Sequence, residues 1–297
     1  MNLYGQAKFL RRIFLIGCVF CFGLSTFQPA LGAAPEHWSK PFPGHRVIGN
    51  LYAVGTYDLS VFLLTSDAGH ILINTGLEDS LPQIRANIES LGYQLADVKI
   101  LLTMQAHWDH TAALAEIRET TGAAVWATMD DARVLEDGGF SDPHFGGRQT
   151  FRPVTVDRII HAGDVIELGD IRLTVHEHGG HTEGSASYSM TVREDGRDYR
   201  VVIANMGTIN PGKRLTVDPT YPGVAEDFAS TYRQQKAMEV DVWVAAHGSQ
   251  YGLHEKYQPG MAYSPETFVD PGGFLEAVEK LEGIYQAQLA AEQAETQ

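Results

Sequence analysis

The chain has 297 residues, 44% hydrophobic and 20% charged, an ordinary globular composition with enough apolar sequence for one large core. Its 22 basic residues face 37 acidic ones, a formal charge of −15 that argues against nucleic acid as a partner and fits the solubility needs of an acidic protein.

Residues 1–32 stand apart from the rest. Lys8, Arg11 and Arg12 precede an apolar run over 13–24, and Ser25, Pro29 and the small-residue stretch Ala30-Leu31-Gly32-Ala33-Ala34 follow it. This is the pattern of a secretory signal peptide, with cleavage expected between Gly32 and Ala34 and a periplasmic product. A retained anchor would need about 20 apolar residues. Leu15-Ile16-Gly17-Cys18 resembles a lipid-attachment box, but it follows Arg12 closely and the apolar run continues past Cys18. Both cysteines, Cys18 and Cys21, fall inside the signal, so a domain over 33–297 would have none and could form no disulfide, and after signal cleavage no stable membrane association is expected. Losing the signal removes three basic residues and leaves a formal charge of −18.

From residue 51 onward, apolar runs between turn residues predict strands at 51–54, 61–64 and 71–73, the last ending at Asn74-Thr75-Gly76, as consecutive antiparallel neighbours. A helical pattern over 81–91 leads to a buried strand at 98–102, a His-rich loop and a helix over 112–120. A second cycle has a strand at 123–126, a helix at 129–135, a Gly- and Pro-rich surface loop over 137–158, strands at 165–168 and 171–176, and a hairpin-like pair at 187–192 and 200–204. The final third reads as a helix over 224–238, a strand at 242–245, a loop with His247 and a C-terminal helix from about 273. Two strand-rich halves with helices suggest sheets packed face to face with helices outside.

The loop Gln105-Ala106-His107-Trp108-Asp109-His110 places several potential ligands just beyond a strand's C-terminal end. Zinc takes imidazole nitrogens and carboxylate oxygens, and a catalytic site uses about three protein ligands with a position left for water. His107 or His110 alone could be a hydrogen-bonded surface residue, and Asp109 alone could cap the following helix. Together with His181, in the turn Gly179-Gly180-His181-Thr182-Glu183-Gly184-Ser185, and His247, after the last apolar strand, they predict metal binding. The competitors His176, His178 and His254 fit less well, the last because it lies in a polar loop beside Glu255 and Lys256.

In this order, the residues resemble those of the metallo-β-lactamase superfamily, over essentially the whole chain after the signal. The resemblance implies an α/β fold, a four-layered αββα sandwich with a metal cleft at one edge. Ile71-Leu72-Ile73-Asn74-Thr75-Gly76-Leu77, the His-rich loop, Ile203-Ala204-Asn205-Met206 and Ser249-Gln250-Tyr251-Gly252-Leu253-His254-Glu255-Lys256 are similar to the third subclass of class B, specifically its GOB-like branch. That branch carries glutamine at the first ligand position and methionine where relatives use serine. The family pattern implies Gln105, His107 and His181 around a first zinc and Asp109, His110 and His247 around a second. Because an amide oxygen is a poorer donor than imidazole, the second site is expected to be the tighter, with one or two Zn2+ bound.

The implied chemistry is opening of a β-lactam by direct attack of zinc-bound hydroxide, with Asp109 as ligand and as the residue that orients water or delivers the proton. Of the substrate-binding positions, Met206 has no hydroxyl to offer a substrate carboxylate, so the resemblance passes that task to Thr208. The substrate range implied is broad, penicillins, cephalosporins and carbapenems, with antibiotic resistance the consequence. Two rivals stand. One is another hydrolase of the same fold, a glyoxalase II-like thioesterase or lactonase, in which an aspartate typically bridges two metals after the fourth histidine ligand; the corresponding stretch here, Ala204-Asn205-Met206-Gly207, has no carboxylate. The other is a non-catalytic zinc-binding protein in which Gln105 records a decayed site.

Overall fold

The structure is a computed structural model that describes residues 34–295, so the signal read at 1–32 lies outside the described residues. Among the described residues, twelve strands and eight α-helices run in the order α1 (Glu36–Ser39), β1 (His45–Ile48), β2 (Leu51–Ala53), β3 (Phe62–Ser66), β4 (Gly69–Ile73), α2 (Leu81–Ser90), β5 (Val98–Leu102), α3 (Trp108–Thr111), α4 (Leu114–Thr121), β6 (Ala124–Ala127) and α5 (Met129–Asp137). Then follow β7 (Arg158–Ile159), β8 (Val165–Leu168), β9 (Ile171–Glu177), β10 (Ala186–Glu194), β11 (Arg197–Ala204), α6 (Val224–Ala237), β12 (Val242–Ala245), α7 (Leu253–Lys256) and α8 (Pro271–Ala294). No helix among the described residues is long and apolar enough to cross a membrane.

The strands form a seven-stranded sheet in sequential order β1 to β7 and a five-stranded sheet in the order β12-β11-β10-β9-β8. Alternation assigns the layers. On β3 and β4, Phe62, Leu64, Ile71 and Ile73 face the second sheet and meet Leu173, Val175 and Tyr188, whereas Leu63 and Leu72 face outward under α2 and α4, meeting Ile84, Ile88 and Ile117. Phe228 and Tyr232 of α6 and Val278 and Tyr285 of α8 extend the core on the far side of the second sheet. The expected αββα layering is therefore present.

Strand direction decides where the site can form. β4, β5 and β6 are mutually parallel, and β9 and β11, each antiparallel to β10, share a direction with β12. The C-terminal ends of β9, β11 and β12 thus emerge on one edge, and side chains there lace the two sheets together. Met104 O accepts from Ala186 N at 2.9 Å and from Asn205 Nδ2 at 2.6 Å, Thr103 O accepts from Tyr188 Oη at 2.8 Å, and Ala246 O accepts from Ser60 N at 3.0 Å. Asn74 turns the chain out of β4 at φ 64°, a conformation Asn tolerates, and its Oδ1 accepts from Met104 N at 2.9 Å.

Several local readings change. The helix read over 112–120 is α4, starting at Leu114, and the His-rich loop before it contains a further short helix, α3, so that Trp108, Asp109 and His110 are themselves helical. α1 and β1 precede the first predicted strand, and α8 begins at Pro271. The loop over 137–158 is not wholly superficial: Asp142 is 5% exposed, drawn inward by a histidine of the site, and Val154 packs under α5.

Candidate metal centre

Two sets of donors meet at this edge. In the first, His107 Nδ1 lies 3.1 Å from His181 Nε2, with the rings edge to face. The outer nitrogens show which inner ones carry lone pairs. His181 Nδ1 is 2.8 Å from the carbonyl oxygen of Thr208 and 2.9 Å from its hydroxyl, so its proton belongs there. His107 Nε2 lies 3.2 Å from the carboxylate of Asp142, which claims the second proton. Two lone pairs then point at each other in a buried space, an arrangement that calls for a cation between them. Gln105 is 2% exposed, with its backbone N–H donating to Thr103 Oγ1 at 3.2 Å and its carbonyl accepting from that hydroxyl at 2.6 Å.

In the second set, ligand atoms of Asp109, His110 and His247 all lie within 4.8 Å of one another. Asp109 Oδ2 is 3.2 Å from His110 Nε2 and 3.5 Å from His247 Nε2. His247 Nδ1 lies 2.9 Å from Asp58 Oδ2, which again turns the inner nitrogen into the lone-pair donor. His110 is fully buried and neither ring nitrogen has a hydrogen-bond partner. Carboxylate plus two imidazoles is a set zinc accepts, and the orphaned nitrogens of His110 fit a metal.

The electrostatics agree. Burial opposes charge on Asp109, but the adjacent His110 and His247 outweigh it and hold the carboxyl well below its ordinary range. Burial also opposes charge on His247, yet hydrogen bonds to Asp109 and Asp58 lift it to about 9. Burial, then the charge of His107, pushes His181 well below 6.5, keeping it neutral and available as a ligand. His107 belongs to the first set and Asp109 and His110 to the second, and His110 N donates to His107 O at 3.0 Å, so one short turn carries ligands of both.

Local sequence explains the placement. Gly180 takes φ 119°, and a Cβ there would lie 2.7 Å from the Phe228 ring; a Cβ on Gly184 would lie 2.4 Å from Asp131 N. Glycine thus lets the His181 turn sit directly on α6 and α5. The turn after β12 is pinned by Gly248 N donating to Asp58 O at 2.6 Å and Ser249 N to Asp58 Oδ1 at 2.9 Å.

Five of the six predicted ligands fall into these two sets, Gln105 being buried two residues before His107, whereas the competing histidines lie elsewhere. His178 is buried against Ser187 Oγ at 2.7 Å, His176 contacts Ser189 Oγ at 2.7 Å, and His254, in α7 rather than a loop, stacks on Tyr57 at 3.7 Å. Met206 is 2% exposed within the core, and Thr208 backs His181. Sequence reading missed Asp58, Asp142 and the aromatic wall. Trp38 sits 5.3 Å from the His247 ring and 6.0 Å from Trp108, and Phe145 lies edge-on to His107 at 4.8 Å. A surface hollow lined in part by Trp108, Phe151 and Arg152 adjoins it. An isolated acid or Trp in a loop carries no periodic signal, so only the spacing of its partners in space could reveal it.

Comparison with known proteins agrees with this geometry. Residues 55–194 match the family model of the metallo-β-lactamase superfamily. A class B3 di-zinc metallo-β-lactamase, LRA-12, from an Alaskan soil metagenome superposes with a TM-score of 0.84 at 45% identity, covering 87% of this chain and 98% of that one. The metallo-β-lactamase GOB-18 from Elizabethkingia meningoseptica superposes with a TM-score of 0.85 at 40% identity, covering 88% and 97%. Among curated proteins, a hydroxyacylglutathione hydrolase from Bradyrhizobium sp. is 31% identical over 140 residues, 44% of this chain and 46% of that protein. The chain spans about half the length of such curated relatives. The chain belongs to the metallo-β-lactamase superfamily, and the solved structures it resembles along nearly their whole length are class B3 members.

Proposed function

We propose that the protein is an exported zinc-dependent β-lactamase that hydrolyses penicillins, cephalosporins and carbapenems and so confers antibiotic resistance. The observation that carries this reading is the pair of converging donor sets, each backed by an acid or carbonyl that fixes its tautomers, in a chain that covers 98% of a class B3 relative. Zinc bound there would act as a Lewis acid and bring the pKa of a coordinated water down to about 7, with no nucleophilic side chain required.

The chain's own residues do the rest. Gln105, His107 and His181 would hold the first ion, Asp109, His110 and His247 the second. Asp58 and Asp142 keep His247 and His107 turned inward. Asp109, held ionised, can orient the attacking water, accept its proton and hand that proton on to the departing lactam nitrogen. Trp38, Trp108 and Phe145 form an apolar wall that excludes bulk water beside the reacting bond. The glutamine in the first set follows the GOB-like pattern, and the second set is the tighter.

A thioesterase is the second reading, favoured by the partial similarity to hydroxyacylglutathione hydrolases. Against it, the segment Ala204-Asn205-Met206-Gly207 presents no bridging acid: Asn205 Nδ2 is committed to Met104 O and Met206 is buried. Zinc-loaded protein assayed in parallel with a penicillin, a carbapenem and a glutathione thioester separates the two. Turnover of the β-lactams over the thioester is expected, and the reverse preference would overturn the assignment.

A further inference from the structure

The loop over 138–150, which follows α5, is folded on itself. Phe151 N donates to Gly138 O at 3.0 Å and Gly139 N to Val134 O at 2.9 Å, which closes its neck. A Cβ on Gly138 would lie 2.4 Å from Phe151 O, and one on Gly139 2.8 Å from Gln149 O, so the pinch needs glycine at both places. Inside the loop, Arg148 donates to the carbonyls of His144 and Phe145 at 2.6 and 2.8 Å, and Gly146 N donates to Asp142 O at 2.9 Å.

From Phe140 to Thr150 one residue is buried, Asp142. Its Oδ1 accepts from His144 N at 2.7 Å and from Phe145 N at 2.6 Å, and its Oδ2 faces His107 Nε2 at 3.2 Å. The Phe145 ring meets the same imidazole edge-on at 4.8 Å. His107 therefore has two sides. Nδ1 faces His181 Nε2 at 3.1 Å in the first donor set, and Nε2 faces the loop, with no other hydrogen-bond partner among the described residues. At 3.2 Å the pair with Asp142 is longer than a charge-assisted hydrogen bond of about 2.7–2.9 Å, so it has room to tighten. Coordination through Nδ1 would polarise the ring and strengthen Nε2–H as a donor to the carboxylate.

We propose that Asp142 is a positioning residue that latches the loop over 138–150 to metal occupancy of the first set. With Nδ1 on a metal ion, His107 draws the loop in through Nε2, and Phe145 closes against the site. Linkage makes the effect mutual: the closed loop favours the filled set by the same factor as the filled set favours the closed loop. The inference rests on the metal-binding reading of the first set and on no particular substrate.

The test follows hydrogen exchange by mass spectrometry in peptides covering 138–150, with α8 as the reference. Metal-free and zinc-saturated protein beginning at residue 33 are compared, with bound zinc counted. In wild type, zinc should slow exchange at the His144 and Phe145 amides about 5- to 150-fold and leave α8 unchanged. Asp142→Asn keeps an oxygen for those two amides but turns an NH2 group toward His107 Nε2, which forces the imidazole proton onto Nδ1. This variant should keep the melting temperature of the metal-free wild type, lose the zinc-dependent protection and bind zinc at the first set about 10- to 100-fold more weakly. His181→Ala, which removes a first-set ligand and leaves Asp142 in place, should lose the protection as well. Equal exchange in metal-free and zinc-saturated wild type overturns the proposal, whatever the variants' stability. Full protection in zinc-saturated Asp142→Asn or His181→Ala does so too. Failure of the wild type to bind zinc would instead sink the metal-centre reading, and the latch with it.

Discussion

At the scale of single residues, the site is set by what stands behind each imidazole. Asp58 faces His247 Nδ1 at 2.9 Å, so Asp58→Asn keeps the shape and removes the charge that makes His247 a strong donor. Zinc affinity of the second set should fall about 10- to 100-fold in that variant, read by competition with a chromophoric chelator; unchanged affinity would deny Asp58 its role. Gln105 is the opposite case, a neutral amide where imidazole would serve zinc better. Gln105→His should tighten the first set by about tenfold or more while leaving the second unchanged, measured in the same competition. Rescue of an otherwise inactive protein by this change would favour a decayed site, and little change in activity a working one. The six candidate ligands were legible because they fall at strand ends in motif-bearing loops. Asp58 and Asp142 were not, because an acid in a turn looks the same whether it caps a backbone or holds a histidine 189 residues away.

At the scale of elements, close approach explains the glycines of the His181 turn. Gly184 leaves 2.4 Å between a notional Cβ and Asp131 N, and 2.5 Å to Thr128 Oγ1, so Gly184→Ala must push the turn off α5. We expect a loss of about 3 kcal/mol in urea unfolding, with weakened zinc binding at the first set as the accompanying sign. Most strands of both sheets were legible from their apolar runs, β1 and the two-residue β7 excepted, and the helix over 224–238 matches α6 to within one residue. The break between α3 and α4 was not, since Ala112-Ala113 is as good a helix former as its flanks. It is imposed from outside: Thr75 N and Thr75 Oγ1 bond to His110 O, at 2.7 and 3.0 Å, and Ala112 N donates to Gly76 O at 3.1 Å. α1 carries no buried residue, and its place is fixed by backbone contacts from Thr56 and Tyr57, which no periodicity announces.

At the scale of the whole molecule, α8 ties the long β11–α6 loop to the second sheet through Glu292. Burial would raise this carboxyl, but Gln288 and the backbone N–H groups of Leu215 and Thr216 outweigh it and lower it to about 2 from 4.5. A depressed carboxyl stabilises fully above its unfolded value and loses that contribution as pH falls from 4.5 toward 2. Glu292→Gln should therefore lower the melting temperature at pH 7, and the gap to wild type should close as the pH is taken below about 4. A gap that stays constant across that range would mean that the charge of Glu292 contributes nothing.

On the proposed function the two donor sets are unequal, and the Asp109, His110 and His247 set drives β-lactam hydrolysis. Zinc should be added stepwise to metal-free protein beginning at residue 33, with bound metal counted and carbapenem turnover measured at each step. Turnover should approach its plateau at about one equivalent, before the first set fills. Two equal-affinity binding steps, or turnover that waits for a second equivalent, would contradict it.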